Sequence, residues 1–182
     1  SGNKIPKLTI INIWRKIITA ANMHEQSLTI ALVNTNNFSD YEHVLREYYD
    51  NSVPLLNCKT SQEAINNIEN NQAKIAAFPG PKKDITEPRK SVAVDEDCWW
   101  IDLANSNSGL KIFAKIPFFR IKNSEVKNEL FVAAKKDFEQ SQSDQTLVYI
   151  KVDNQLSESE VSAILPSSDK AIEVLQIVNN QL

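Results

Sequence analysis

The fold is decided by residues 28–78, which run LTIALVNTNNFSDYEHVLREYYDNSVPLLNCKTSQEAINNIENNQAKIAAF. This stretch contains three short apolar runs, at 28–33, 53–58 and 74–78. Runs of this length predict buried strands. Between them lie two amphipathic segments, about 38–50 and 60–70, that are long enough for helices. Strands that alternate with helices across short loops predict a mostly parallel sheet with flanking helices, and therefore an α/β fold.

Two helix signals support this prediction. Thr60-Ser61-Gln62-Glu63 has the form of a capping box, in which the Thr60 hydroxyl accepts the Glu63 amide and the Glu63 carboxylate reaches back to the helix start. A helix over 8–26 is also predicted, because apolar residues recur there at steps of three and four and form one face. That face consists of Ile10, Ile13, Trp14, Ile17 and Ala21.

Composition limits the possible functions. With 182 residues and a net charge of -3, the chain fits one compact domain or two small lobes, and a nucleic acid or an anionic membrane is not an expected partner. Cys58 and Cys98 match no metal-ligand spacing and are expected to be buried thiols. We therefore expect no metal and no cofactor. No apolar run approaches the ~18 residues that span a bilayer, so the expected location is cytoplasmic.

The second half of the chain is predicted in less detail. Three prolines between residues 79 and 90 predict an irregular loop, and 95–103 is a short helix or an extended aromatic segment. Segments 111–118 and 129–134 are expected to be strands that pair antiparallel. Further expected elements are a strand at 145–152, a helix at 157–165 and a strand at 171–178.

Two segments resemble a known enzyme family. Ile13-Trp14-Arg15-Lys16-Ile17-Ile18-Thr19-Ala20-Ala21, ending in Glu25, resembles the last helix of an all-helical chorismate mutase, and Leu28–Val33 after it resembles the first strand of a prephenate dehydratase domain. Residues 58–65 and 73–79 resemble a second dehydratase segment, in which a helix leads into a strand and a proline-led substrate loop. The sequence thus resembles the bifunctional chorismate mutase–prephenate dehydratases over about 13–80.

The resemblance implies periplasmic-binding-protein-like lobes, here reduced, with a ligand cleft between them and one long helix in front. It divides the chain into a terminal helix (1–26), a dehydratase-like α/β domain (27–152) and a C-terminal helix-strand extension (153–182). Residues 145–182 fit either half of the regulatory module that follows the family's dehydratase domain or the closing strands of the main domain. The implied ligand is an aromatic-pathway metabolite: prephenate, phenylpyruvate or phenylalanine.

The family's catalytic motifs are incomplete in this chain. Thr146 matches the threonine of the Thr-Arg-Phe signature and is the candidate catalytic residue, but Leu147 stands where the arginine should be. A guanidinium holds a carboxylate through two parallel hydrogen bonds, which leucine cannot do. In the mutase-like helix, Glu25 matches a family position, whereas Ala21 replaces the expected serine. A dehydratase of the ordinary kind is therefore not expected.

Five further residues are candidate ligand-binding residues. Ser39 and Thr60 match substrate-loop hydroxyls of the family, although a helix cap explains each equally well. Lys82, Lys83 and Arg89 provide cations for a dicarboxylate, although such charges commonly belong to a solvated loop.

Three hypotheses about function stay open at this stage. The first is a degenerate dehydratase-like domain that binds a pathway metabolite. The second is an active mutase or dehydratase in the full-length protein. The third is a non-enzymatic interaction module, with a possible homodimer formed through the apolar face of helix 8–26.

Overall fold

A five-stranded sheet lies at the centre of the chain. The computed structural model describes residues 5–25, 27–33, 38–81, 89–90, 98–117, 128–137, 147–148, 160 and 178–179. The helices among them are α1 (Lys7–Glu25), α2 (Phe38–Tyr48), α3 (Ser61–Glu69) and α4 (Trp99–Asn105). The strands are β1 (Ile30–Val33), β2 (Leu55–Cys58), β3 (Ile75–Pro79), β4 (Arg89–Lys90), β5 (Lys111–Ile116), β6 (Leu130–Ala134) and β7 (Val178–Asn179).

The sheet is mixed, with the strand order β2-β1-β3-β6-β5. β1 pairs parallel with β2 and with β3, which confirms the prediction of crossover helices between parallel strands. β6 pairs antiparallel with β3 and with β5, as predicted for segments 111–118 and 129–134. The α/β class is therefore confirmed, but the expectation of a mostly parallel sheet holds only for β1, β2 and β3. An antiparallel pair needs no long crossover connection, unlike a parallel one.

Helices cover both faces of the sheet because side chains alternate along each strand. In β1, Ile30 and Leu32 point to the face that α2 covers, where they pack with Tyr41 and Leu45. Ala31 and Val33 point to the other face. There they join residues of α3, α4 and the neighbouring strands, namely Ala64, Ile65, Ile68, Phe78 and Trp99. Consecutive crossovers on opposite faces are what right-handed connections require when the chain reverses its direction across a sheet.

α1 confirms the helix predicted over 8–26 but turns its apolar face away from the sheet. The helix contacts the body through the Lys16 ammonium, 2.8 Å from the Asp50 carboxylate, and the Arg15 guanidinium, 4.4 Å from the centre of the Tyr48 ring. Thr19 is buried, and Met23 packs against the α2-side core. On the opposite side, the large side chains are about half exposed: Ile10 (42%), Ile13 (52%), Trp14 (60%) and Ile17 (52%).

Several predictions for the second half need correction or lie outside the described residues. Arg89 and Lys90, expected in an irregular loop, form β4 and pair parallel with β7. The prolines of that segment precede both residues, whose own amides remain available for a ladder. Leu147 and Val148, in the expected strand 145–152, are exposed and belong to no strand. Alternation alone does not provide a strand with a pairing partner.

Few residues of the remaining predicted C-terminal elements are described. Of the helix predicted at 157–165 only Glu160 is described, and it is helical. Residues 171–177 of the last predicted strand lie outside the described residues, while Val178 does lie in β7. Within the described ranges, none of the helices combines the length and the hydropathy needed to cross a lipid bilayer.

Candidate functional site

The carboxyl ends of β1, β2 and β3 meet at one edge of the sheet, which we call the carboxyl edge. From this edge, the chain leaves β1 towards α2 on one face, and α3 brings it from β2 to β3 on the other face. In open α/β sheets, ligands bind outside the carboxyl ends of the strands where the direction of winding reverses. In the order β2-β1-β3, that position lies between the ends of β1 and β3, at Val33 and Pro79, and we name it the β1/β3 crevice. This β1/β3 crevice is the candidate functional site.

Thr60 lies at the carboxyl edge but acts as the N-cap of α3. Its hydroxyl oxygen accepts a hydrogen bond from the Glu63 amide at 3.1 Å, as the capping box predicts. The other half of the box is displaced by one residue, because the Glu63 carboxylate accepts its hydrogen bond from the Lys59 amide at 2.6 Å and not from Thr60. Both groups satisfy amides at the helix start that have no partner within the helix. The structure therefore explains Thr60 fully as a cap.

Ser61, the first residue of α3, is buried with only 3% of its surface exposed. Its hydroxyl donates a hydrogen bond to the carboxylate of Asp102 in α4, which ties the two helices together. A serine needs an adjacent base and access to substrate to act as a nucleophile. Both histidines of the chain, His24 on α1 and His43 on α2, are exposed, and burial denies the Ser61 hydroxyl contact with a substrate. We assign the Ser61–Asp102 pair a structural role.

Trp99 packs against the end of β3 on the face that α3 covers. Its indole Nε1 donates a hydrogen bond to the Pro79 carbonyl oxygen at 2.7 Å, and its ring stacks on Phe78 with the ring centres 4.9 Å apart. Only 3% of Trp99 is exposed, whereas Trp100 is half-buried. The indole thus fixes the backbone from which the loop after β3 departs.

Gly80 lies directly after β3, against the start of β6. Its amide donates to the Glu129 carbonyl oxygen at 2.6 Å, and a Cβ at this position would lie 3.1 Å from that oxygen. The Glu129 carboxylate is 2.8 Å from the Lys115 ammonium, and both side chains are largely buried. This partly desolvated ion pair places a cation near the carboxyl edge, where β5 ends and β6 begins.

The predicted site residues are only partly brought together. Ser39 and Thr60 both follow strands at the carboxyl edge, but Ser39 is the exposed second residue of α2 and does not occupy its N-cap position. Glu25 is exposed at the end of α1. The candidate residues Thr146, Lys82 and Lys83, and the side chain of Arg89, lie outside the described part of the structure.

A second concave surface lies beside β2 and α3. It is an open depression of about 460 Å³ lined by Leu56, Asn57, Glu63, Asn67 and Gln72. Its only charged lining residue is Glu63, so this surface would repel a carboxylate ligand. The depression lies beside an edge strand rather than at the β1/β3 crevice, and we do not assign the candidate site to it.

Titratable groups in the described ranges do not form a metal site. No three histidine, cysteine, aspartate or glutamate side chains come together there in a way that could hold a metal ion. Cys58 and Cys98 are buried free thiols, as predicted. Burial raises the pKa of the Cys58 thiol, although a hydrogen bond from Asn67 acts in the opposite direction. A thiol with a raised pKa is a weak nucleophile at neutral pH.

Three of the described hydroxyl and ammonium groups at the carboxyl edge are paired within the fold. The hydroxyls of Thr60 and Ser61 are engaged within the fold, and Lys115 is paired with Glu129. Sequence reasoning missed the Ser61–Asp102 pair, because its members are 41 residues apart and no local pattern links them. The Lys115–Glu129 pair was within reach of prediction, since the expected antiparallel pairing brings these two segments together.

Comparisons with known proteins show no family for this chain. No model of a protein family matches it, and no curated protein matches it. The chain is similar to a solved structure described as "GqqA- a novel type of quorum quenching acylases", with 15% sequence identity and a TM-score of 0.39. The match covers 62% of this chain and 50% of that one, so it spans half the length of the acylase. A TM-score at this level supports no argument about the fold or the activity.

Proposed function

We propose that this chain contains a degenerate prephenate dehydratase-like domain that binds a small carboxylate metabolite of the aromatic pathway at the β1/β3 crevice and does not perform standard dehydratase chemistry. In this proposal the described sheet belongs to the first of two reduced lobes of the periplasmic-binding-protein kind. The observation that supports it is the reversal of winding between β1 and β3, which is where α/β sheets place ligands.

The chemistry of the loop after β3 supports a carboxylate ligand. The loop leaves the crevice at Gly80, and two consecutive lysines, Lys82 and Lys83, follow within three residues. Lysine ammonium groups attract carboxylates over several ångströms. The prolines at 79 and 81 restrict the backbone beside the crevice, which lowers the entropy lost when a ligand binds there.

The absence of the family's arginine supports binding without turnover. Loss of carbon dioxide and hydroxide from prephenate needs a general acid and firmly held carboxylates. Leu147 replaces the arginine that provides such a hold in the family, and its side chain is 40% exposed.

Thermal denaturation tests the proposal with chorismate, prephenate, phenylpyruvate and phenylalanine, each at millimolar concentration. A ligand at tenfold its Kd that binds only the folded chain should raise the Tm by roughly 3–6 °C. Phenylpyruvate formation from prephenate is followed in parallel, and we expect none at an enzyme-like rate. Turnover at such a rate, or no Tm shift with any of the four compounds, would contradict the proposal.

A pair of double variants locates the binding site. Lys82→Ala with Lys83→Ala should abolish the Tm shift. Lys135→Ala with Lys136→Ala is the matched control, because these exposed lysines follow β6 at the opposite edge of the sheet. Both variants remove two positive charges, so a purely long-range electrostatic effect would weaken ligand binding equally in the two variants. An equal loss of binding in both variants would argue against a site at the β1/β3 crevice.

A further inference from the structure

The outer face of α1 is an uncovered apolar surface on a helix that is anchored to the body by its other side. We define this outer face as Ile10, Ile13, Trp14, Ile17 and Ile18, with Ala21 between them; all six are exposed. At 3.6 residues per turn, these side chains span an arc of roughly 140°. The anchoring side chains, Lys16, Thr19 and Met23, lie on the opposite arc.

The outer face is large enough to be the interface that one partner contributes to a stable dimer. Its five large side chains are 42% to 60% exposed, which corresponds to roughly 500 Å² of apolar surface at ~200 Å² for each large side chain. Homodimer interfaces are about 65% apolar. The patch therefore corresponds to a footprint of about 800 Å², which is the share of each partner in a standard interface.

The charges at the two ends of α1 indicate which partner covers the outer face. Lys7 is in the first turn, where the helix dipole is positive, and Glu25 is in the last turn, where it is negative. Each charge is therefore unfavourable within its own helix. The two residues lie on the same edge of the outer face, because the eighteen positions between them correspond to five complete turns. A second copy in antiparallel orientation places each charge beside its opposite.

We propose that the outer face of α1 is the interface of an isologous, antiparallel dimer of this chain. In a two-fold pair of antiparallel helices, residues equally distant from the helix midpoint face one another. The midpoint of α1 is Lys16, so Lys7 then lies opposite Glu25 of the second copy, and Trp14 lies opposite Ile18. The inference does not depend on the ligand proposed for the β1/β3 crevice.

Sedimentation of the full chain at 5 and at 200 µM tests the dimer. A dimer at the higher concentration is expected, and a monomer at both concentrations would overturn the proposal. The variant Ile13→Lys with Ile17→Lys should be monomeric, while Asn12→Lys with Asn22→Lys, exposed positions outside the outer face, should still dimerise. Dimers of the first variant would show that another surface associates.

Charge exchange tests the antiparallel orientation. Lys7→Glu alone and Glu25→Lys alone should each weaken the dimer, because like charges then face one another at both ends of the interface. Mixing the two variants should restore association, since the mixed pair has opposite charges at both ends. A mixture that associates no better than either variant alone would overturn the antiparallel arrangement. Circular dichroism of each variant confirms that α1 stays helical, so that loss of the helix is distinguished from loss of the interface.

Discussion

At the scale of single residues, Trp99 combines three roles that are usually divided among several side chains. It fills the α3-side core, stacks on Phe78, and satisfies the carbonyl of Pro79 at the end of β3. Proline itself donates no hydrogen bond to a sheet, so the strand end depends on bonds to its carbonyl. The indole therefore holds the end of β3 together with the hydrogen bond from the Gly80 amide to the Glu129 carbonyl.

Trp99→Phe should therefore destabilise the fold measurably. It removes the buried donor to the Pro79 carbonyl and leaves a small cavity, and together these should lower the free energy of unfolding by about 2–4 kcal/mol. Urea denaturation followed by far-ultraviolet circular dichroism measures the change. Trp100→Phe is the matched control; its side chain is half-buried, and it should cost only about 1 kcal/mol. Equal costs in both variants would show that the hydrogen bond to Pro79 adds nothing.

At the scale of secondary-structure elements, α3 is held at its start by the Thr60 cap. Thr60→Ala should lower the free energy of unfolding by about 0.5–2 kcal/mol, and Thr60→Ser, which keeps the hydroxyl, should cost far less. Chemical denaturation measures both. Ligand-induced Tm shifts should be the same in Thr60→Ser and the unmodified chain. An unaltered stability of Thr60→Ala would contradict the role of Thr60 as a cap and would reopen its role as a binding residue.

The attachment of α1 to the body depends on pH through Asp50. The hydrogen bond from Lys16 holds the pKa of the Asp50 carboxyl well below its ordinary value, and hydrogen bonds from Ser52 act in the same direction. Because the folded pKa is depressed, the stabilisation is fully present above the ordinary pKa of about 3.9 and is lost as the pH falls towards the folded pKa.

Asp50→Asn should consequently have a lower unfolding midpoint than the unmodified chain. This difference in midpoint should be constant at every pH above about 5 and should shrink below pH 4. Asparagine tolerates the positive φ of 126° at this position better than other neutral residues do. Urea titrations at several pH values measure the difference. A difference that stays constant down to pH 2 would show that the Lys16–Asp50 pair does not account for it.

At the scale of the whole molecule, the five-stranded sheet lies between two hydrophobic cores and contributes side chains to both. β1 is central to this arrangement, because its four residues alternate between the two clusters. If the strands of the sheet separate, both hydrophobic cores lose part of their packing. The two cores should therefore fold in one cooperative event.

Substitutions on opposite faces should accordingly shift the same transition. Leu45→Ala in the α2-side core and Ile65→Ala in the α3-side core should each cost about 2–5 kcal/mol, since both side chains are fully buried. The fluorescence of Trp99 and Trp100 reports the α3 side, and circular dichroism reports all helices. The two signals should give one midpoint in each variant. Separate midpoints would mean that the two faces unfold independently.

Local patterns predicted the elements, whereas contacts between distant residues escaped them. The cap at Thr60 and the three parallel strands follow from spacing within a few residues, and the structure confirms both. The Ser61–Asp102 and Trp99–Pro79 contacts join segments 41 and 20 residues apart, and no periodicity encodes them. Periodicity also identified the apolar face of α1 but not its orientation, because a repeat does not say which surface covers it.

The three tryptophans of the chain occupy three different environments, and this distribution has a spectroscopic consequence. Trp14 is 60% exposed on α1, Trp100 is half-buried, and Trp99 is 3% exposed against Phe78. A single emission spectrum thus contains a solvent-exposed, long-wavelength component from α1 and a shielded, short-wavelength component from the sheet. Quenchers dissolved in water will remove the first before the second, so events at the terminal helix are optically separable from events in the core.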